Sequence, residues 1–290
     1  MSRLAGGRYG KAEVRVVRVG RAAAPGGGDV LRDWTVSTSL SGDISASYLT
    51  GDNENVLPTD SQKNAAFAFA QRLGAVEPEA YALELARFFV DSQPPITRAR
   101  VAVDEHGWDR VGTRAHSFTR NATLTRRTVV VHDETAGTSV ISGVADLVVL
   151  NTTGSEFWGF PRDEYTTLPE TKDRMLATEV SATWRYRSLD VDWGSAFTAA
   201  RDALLEAFAT TYSYALQQTL FAMGEAVLAA VPGSCEVRLT LPNKHHFLVD
   251  LTPFGQPNDD EVFFAADRPY GLIEGTVLAD DAPAAGLAWE

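Results

Sequence analysis

The same succession of secondary-structure signals runs twice along this chain, and that repeat constrains the fold more than any other feature. In the first half, residues 13–19, 34–40 and 44–48 are rich in strand-forming side chains. Two helical segments follow, because Ala66, Phe69, Ala70 and Leu73 recur at helical spacing, as do Ala82, Leu85, Ala86 and Phe89. Thr59 with Gln62 has the form of a capping box, and Pro78 stands where a first helical turn tolerates proline. Strand signals return at residues 99–103, 116–124 and 128–131.

The second half repeats the order. Residues 140–150 are apolar on both faces, which predicts a strand covered on both sides, and Val180, Ala182, Trp184 and Tyr186 alternate as in a half-buried strand. A long helical region runs from residue 195 to about residue 231. Phe197, Ala200, Leu204 and Phe208 line one face of it, and Leu216, Leu220, Met223 and Val227 another. The hydroxylated run Thr210-Thr211-Tyr212-Ser213 predicts a break between two helices, and Pro232-Gly233 ends the region. Val237, Leu239 and Leu241 alternate again, and Phe247, Val249 and Leu251 continue after a short turn.

Strands, two helices, then strands, in each half, predict an α+β fold of antiparallel sheet with helices on one face. The alternating order of a doubly wound parallel sheet is missing. Tandem duplication is the economical account, with units at residues 1–136 and 137–290. The tail after Leu278 is rich in Ala, Asp and Pro and is expected to be poorly ordered.

Charge and composition then narrow the function. A net charge of −12 disfavours nucleic acid, which needs a basic surface, but leaves room for an anionic small molecule at a local positive site. No segment approaches the roughly 20 apolar residues of a membrane span, and the opening residues lack the apolar core of a signal peptide. Cys235 is the single cysteine and suits a reducing cytoplasm, the expected compartment. No nucleotide-binding glycine pattern follows a strand, Gly26-Gly27-Gly28 having the wrong spacing. Of the five histidines only His245 and His246 are close, and neighbours on a strand point to opposite faces. No cofactor and no metal are expected.

Four strings carry a resemblance. They are Arg8-Tyr9-Gly10-Lys11, Leu57-Pro58-Thr59-Asp60 with Lys63-Asn64, the long run from Glu156-Phe157 to Asp173-Arg174, and Leu241-Pro242-Asn243-Lys244-His245. In order and spacing they resemble the urate oxidase family, over about residues 8–277. The resemblance implies a tandem T-fold of two ββααββ units that assemble into a barrel between subunits. It also implies a homotetramer with sites shared between subunits, and cofactor-independent oxidation of urate by dioxygen. The alternatives are another T-fold purine or pterin enzyme, whose relatives typically need zinc or a Cys/His cluster, and a purine-binding homologue without turnover.

Urate is a flat, polar anion, so its site needs an aromatic face, a fork of donors and an amide. By the resemblance Phe157 stacks, Arg174 supplies the fork, Gln217 the amide and Leu216 a backbone contact. Lys11, Thr59 and His245 resemble the proton-handling group, Asn243 would hold dioxygen or water above the ring, and Asp60 would support the backbone or contact substrate. On residue type alone, Phe157 reads as core, Arg174 and Lys11 as solvated charges, Gln217 as a helix-boundary residue, Thr59 as a helix cap and Asn243 as a turn residue. Gln218 adjoins Gln217, and alignment spacing favours Gln217.

Overall fold

Eight strands form one antiparallel sheet. A computed structural model describes residues 2–21, 27–266 and 268–290, so Gly26 of the glycine run lies outside the described residues. β1 (Val14–Gly20) and β2 (Val30–Gly42) precede the short α1 (Ser45–Leu49), α2 (Thr59–Leu73) and α3 (Pro78–Ser92). β3 (Ile96–Arg110), β4 (Phe118–Asp133), β5 (Gly137–Asn151) and β6 (Leu176–Tyr186) come next, then α4 (Trp193–Thr210) and α5 (Leu216–Ala230). β7 (Ser234–Pro242), β8 (His245–Leu248), β9 (Phe263–Ala266) and β10 (Leu272–Leu278) complete the chain. The large sheet runs β1-β2-β3-β4-β5-β6-β7-β10, while β8 and β9 pair separately. The turn between β4 and β5 spans the expected boundary at residues 136 and 137, and the sheet continues across it.

Register carries the core across all eight strands. Val14, Val36, Val103, Thr128, Ser142, Trp184, Val237 and Val277 are successive partners in one unbroken row, and every one is buried. Because side chains alternate along a strand, this row and its i±2 neighbours make a single face. α2, α3, α4 and α5 cover that face with Phe69, Phe89, Leu204 and Met223. Each buried side chain of this size contributes about 1.5–3 kcal/mol relative to exposure. Residues 140–145 of β5 are buried on both faces, as expected, up to a bulge at Asp146, whose φ of 62° shifts the register.

Two of the eight row residues, Thr128 and Ser142, are polar, and a buried ion network meets Ser142 at the β4–β5 seam. Ser142 donates to Glu79 (2.6 Å), a fully buried carboxylate that also accepts from Arg126 (2.6 Å). Arg126 reaches Glu77 at 2.6 Å, and its guanidinium lies 4.3 Å from the Phe197 ring centre. Arg32 joins Glu77 to Glu105, which also accepts from the Trp34 indole. One arginine of the first half thus touches α3, β5 partners and α4 together.

Four local expectations need correction. Residues 44–48 form not a strand but, from Ser45, the one-turn α1, because Ser47 and Thr50 hydroxyls bond back to the Ile44 and Ala46 carbonyls. Residues 118–124 and 128–131 belong to one strand, β4, whose continuity is masked in the sequence by Arg126 and Arg127, while residues 116 and 117 precede it. Thr59 is not a capping residue: Pro58 holds the cap position without a side-chain bond, and Gln62 accepts from Thr38 at 2.7 Å instead. The tail is docked, because Asp281 pairs with Arg187, Pro283 accepts from Arg185, and Trp289 lies 3.8 Å from the Arg238 guanidinium. Pro78 at the start of α3 and the break between α4 and α5 agree with expectation. Phe247 falls in β8, which ends before Val249 and Leu251.

Candidate active site

Two β-bridges build the floor of the C-terminal half of the site. Phe157 pairs with Thr171 through reciprocal backbone bonds (2.9 and 3.0 Å), closing the long connection after β5 and bringing Arg174 back beside Phe157. Phe160 stacks on Phe157 with ring centres 4.9 Å apart and planes inclined by 18°, which fixes the ring's tilt. The Arg174 guanidinium lies 5.2 Å from the Phe157 ring centre and its Nε donates to Ser155 Oγ at 3.4 Å.

Among the described residues, no carboxylate pairs with Arg174. Its neighbour Asp173 turns away, accepting from Thr153 Oγ1 (2.6 Å) and the Gly154 amide (3.0 Å). Burial alone pushes the Arg174 pKa down, with no carboxylate pushing it back. A half-buried guanidinium without a counter-ion is a receptor for an anion.

Asn243 and His245 approach from the other side. The Asn243 amide donates to Gly271 O (2.8 Å) and Asn243 bridges to Thr178, which anchors the end of β7 against β6. His245 opens β8, 5.8 Å from the Phe247 ring. Phe157, Arg174, Asn243 and His245 line one cavity of about 460 Å³, of the size that holds a small heterocycle. His246 borders it too and is held by Lys244 O at 3.0 Å.

Leu216 and Gln217 begin α5, outside that lining but tied to it. The Glu156 amide donates to Ser213 O (2.8 Å), so the start of α5 is stitched to the segment carrying Phe157. Gln218 accepts from the Tyr214 amide at 3.0 Å and serves its own helix end. Gln217 is exposed beside it.

Lys11, Thr59 and Asp60 sit in the first half and do not line this cavity. Residues 9–11 extend β1 past a kink at Glu13 (φ 57°), with Thr38 N donating to Lys11 O at 2.8 Å. Gly10 is required there, since a Cβ would stand 1.8 Å from Thr38 O. Thr38 also bonds to Gln62 of α2, so Lys11 and the start of α2 share one anchor. Asp60 bonds to Lys63 and Asn64 and lies in the field of Lys11; the Lys63 bond foremost holds its pKa below the usual carboxylate range. Ser155 and Phe160 were not legible as site residues, although an aromatic three positions after Phe157 was the available signal. Among the described residues, no group of three or more His, Cys, Asp or Glu is placed to hold a metal ion. None of the described helices is long and apolar enough to cross a membrane.

A helix-covered antiparallel sheet with an arginine–aromatic cavity beside it defines the class, an α+β ligand-binding enzyme. A sequence model of the family described as uricase matches residues 7–131 and 140–274. The uricase of Arthrobacter globiformis is 47% identical over 282 residues, covering 97% of this chain and 92% of that protein. That of Dictyostelium discoideum is 38% identical, covering 96% and 98%. The crystal structure of the Arthrobacter globiformis uricase superposes with a TM-score of 0.94 at 45% identity, over 100% of this chain and 99% of that one. The chain belongs to the uricase family, and it is an oxidoreductase.

Proposed function

We propose that this chain oxidises urate with dioxygen and water to 5-hydroxyisourate and hydrogen peroxide, without metal or organic cofactor. The observation that carries the reading is Arg174, half-buried, paired with no carboxylate among the described residues and set against the Phe157 ring in a cavity shared with Asn243 and His245. The purine anion stacks on Phe157 while the Arg174 fork engages its carbonyl and ring-nitrogen edge. Gln217 and the backbone of Leu216 match the opposite edge. Urate itself supplies both electrons, so the protein's task is to move protons and hold oxygen. Lys11 and the Thr59 hydroxyl relay a ring proton, His245 orients that relay, and Asn243 holds dioxygen or the attacking water. Asp60 supports the start of α2 or touches substrate. Loss of urate absorbance with one peroxide per urate, in metal-free buffer containing chelator, is the expected result. Activity abolished by chelator and restored by one metal overturns the cofactor-free reading.

The units 1–136 and 137–290 are read as two T-folds, which pair with a second copy into a barrel and then a tetramer. β1 and β10 leave both edges of the sheet unpaired within the chain, and such edges need covering. Phe247 and Phe264 project exposed from the β8–β9 pair, an apolar surface suited to another subunit. Lys11, Thr59 and Asp60 then complete the cavity of a neighbouring chain. Two inactive variants, Thr59→Ala and Arg174→Ala, damage opposite halves of such a shared site. Co-expressed with different tags and purified as mixed oligomers, they are expected to regain part of the activity. Mixed oligomers with only the summed parental activities would show that each chain builds its site alone. A cytoplasmic setting fits the single, buried Cys235.

A further inference from the structure

The face of the sheet away from the helices carries a second concentration of positive charge, unrelated to the cavity of Phe157 and Arg174. Arg98 and Arg100 project there from β3, beside Ser39 and Ser41 of β2, and Arg8 lies across from them on the chain leading into β1. Together they border a groove of about 640 Å³. In a chain of net charge −12 such a cluster needs an anion, and the structure shows one. Glu290, brought over the sheet by the docked tail, accepts from Arg98 Nη1 through its carboxylate at 2.7 Å. Its main-chain oxygen accepts from Arg100 Nε at 2.9 Å.

These contacts leave donor capacity unused. Arg98 spends its Nε on Asp133 (2.8 Å) and one Nη on Glu290. Among the described residues Arg100 makes no ion pair with a carboxylate side chain, and Arg8 is exposed. Three guanidiniums meet the Asp133 and Glu290 side-chain carboxylates and one main-chain oxygen of Glu290, and withdrawal of Glu290 leaves Asp133 as the one described carboxylate paired with them. Burial, then the proximity of Arg8, pushes the Arg100 pKa down, the mark of a guanidinium short of counter-charge. The Glu290 side chain is half exposed, so it can leave at small cost.

We propose that this groove is a binding site for a small, multiply charged oxyanion, held by Arg8, Arg98 and Arg100, and that Glu290 occupies it in cis. The tail then acts as a tethered competitor whose effective concentration an external anion must exceed. The chemistry is shared by phosphates and dicarboxylates, and the fork of each arginine accepts either.

Calorimetric titration of the full chain with inorganic phosphate, and separately with succinate, at constant ionic strength set by chloride, tests this. Saturable binding is expected, tightened about three- to tenfold in Glu290→Gln, since one charge-assisted contact no longer competes. Arg8→Gln, at an exposed position that cannot threaten the fold, is expected to weaken it at least fivefold, and Arg100→Gln further. Arg174→Ala is expected to leave it unchanged, which separates this groove from the proposed urate cavity. The tighter of the two probes identifies which oxyanion class the groove prefers. No saturable heat with either probe in both the parent and Glu290→Gln overturns the proposal. So does binding that survives Arg8→Gln intact or vanishes in Arg174→Ala.

Discussion

Arg174→Ala is expected to raise the Kd for urate by about 30- to 700-fold. The figure follows from the loss of a charge-assisted fork, on the order of 2 to 4 kcal/mol, with each 1.4 kcal/mol worth tenfold. Among the described residues Arg174 has no carboxylate partner to be orphaned by its removal, so the penalty falls on the ligand and not on the fold. Arg174→Lys keeps the charge but loses the planar fork, and its Kd is expected to lie between those of the parent and Arg174→Ala. Equilibrium binding of urate or a non-oxidisable purine analogue under anaerobic conditions measures this without turnover. An unchanged Kd in Arg174→Ala would remove Arg174 from the site.

Arg126→Met is expected to cost about 3–5 kcal/mol of stability, lowering Tm on the order of 10 °C. The volume of the side chain is nearly kept, but fully buried Glu79 loses its charged partner and keeps the Ser142 hydroxyl and its own backbone amide. Burial already pushes the Glu79 pKa up, and Arg126 opposes that, so removing Arg126 drives it higher. A carboxyl with a folded pKa above its unfolded value stabilises below the unfolded value and loses that contribution as pH rises through the folded one. The penalty is therefore expected to be smaller near pH 5 than at pH 8. Adding Glu79→Gln should recover part of the loss at pH 8. Denaturant melts at the two pH values check this, and a pH-independent penalty would mean that packing against Phe197 matters more than charge.

Where burial is one-sided, the residues announce their structure. Val180, Ala182, Trp184 and Tyr186 alternate because β6 buries one row under α4 and α5. The Thr210–Ser213 break is legible because hydroxyl and β-branched side chains interrupt an apolar stripe. Arg126 hid the middle of β4, since its buried charge is paid for by carboxylates on α3, dozens of residues away. The docked tail was hidden for a similar reason: its anchors are arginines on β3, β6 and β7, and its own residues carry no periodicity. In the cavity, the urate oxidase resemblance pointed to Phe157, Arg174, Asn243 and His245, which the fold gathers from two distant segments. It did not point to Ser155 or Phe160, which act by holding Arg174 and Phe157 in position.

The row from Val14 to Val277 bears on how the molecule opens. Its middle members, Thr128 and Ser142, are partners on strands joined by a three-residue turn, whereas Val14 and Val277 are separated by almost the whole chain and lie on the two outermost strands of the sheet. Fluctuations that break backbone bonds therefore begin at β1 and β10 and work inward, and the β4–β5 hairpin is the last to lose its protection. A continuous eight-stranded sheet built this way has no weak plane at its middle. Its fragile places are its two rims, the same strands that a neighbouring subunit would clasp.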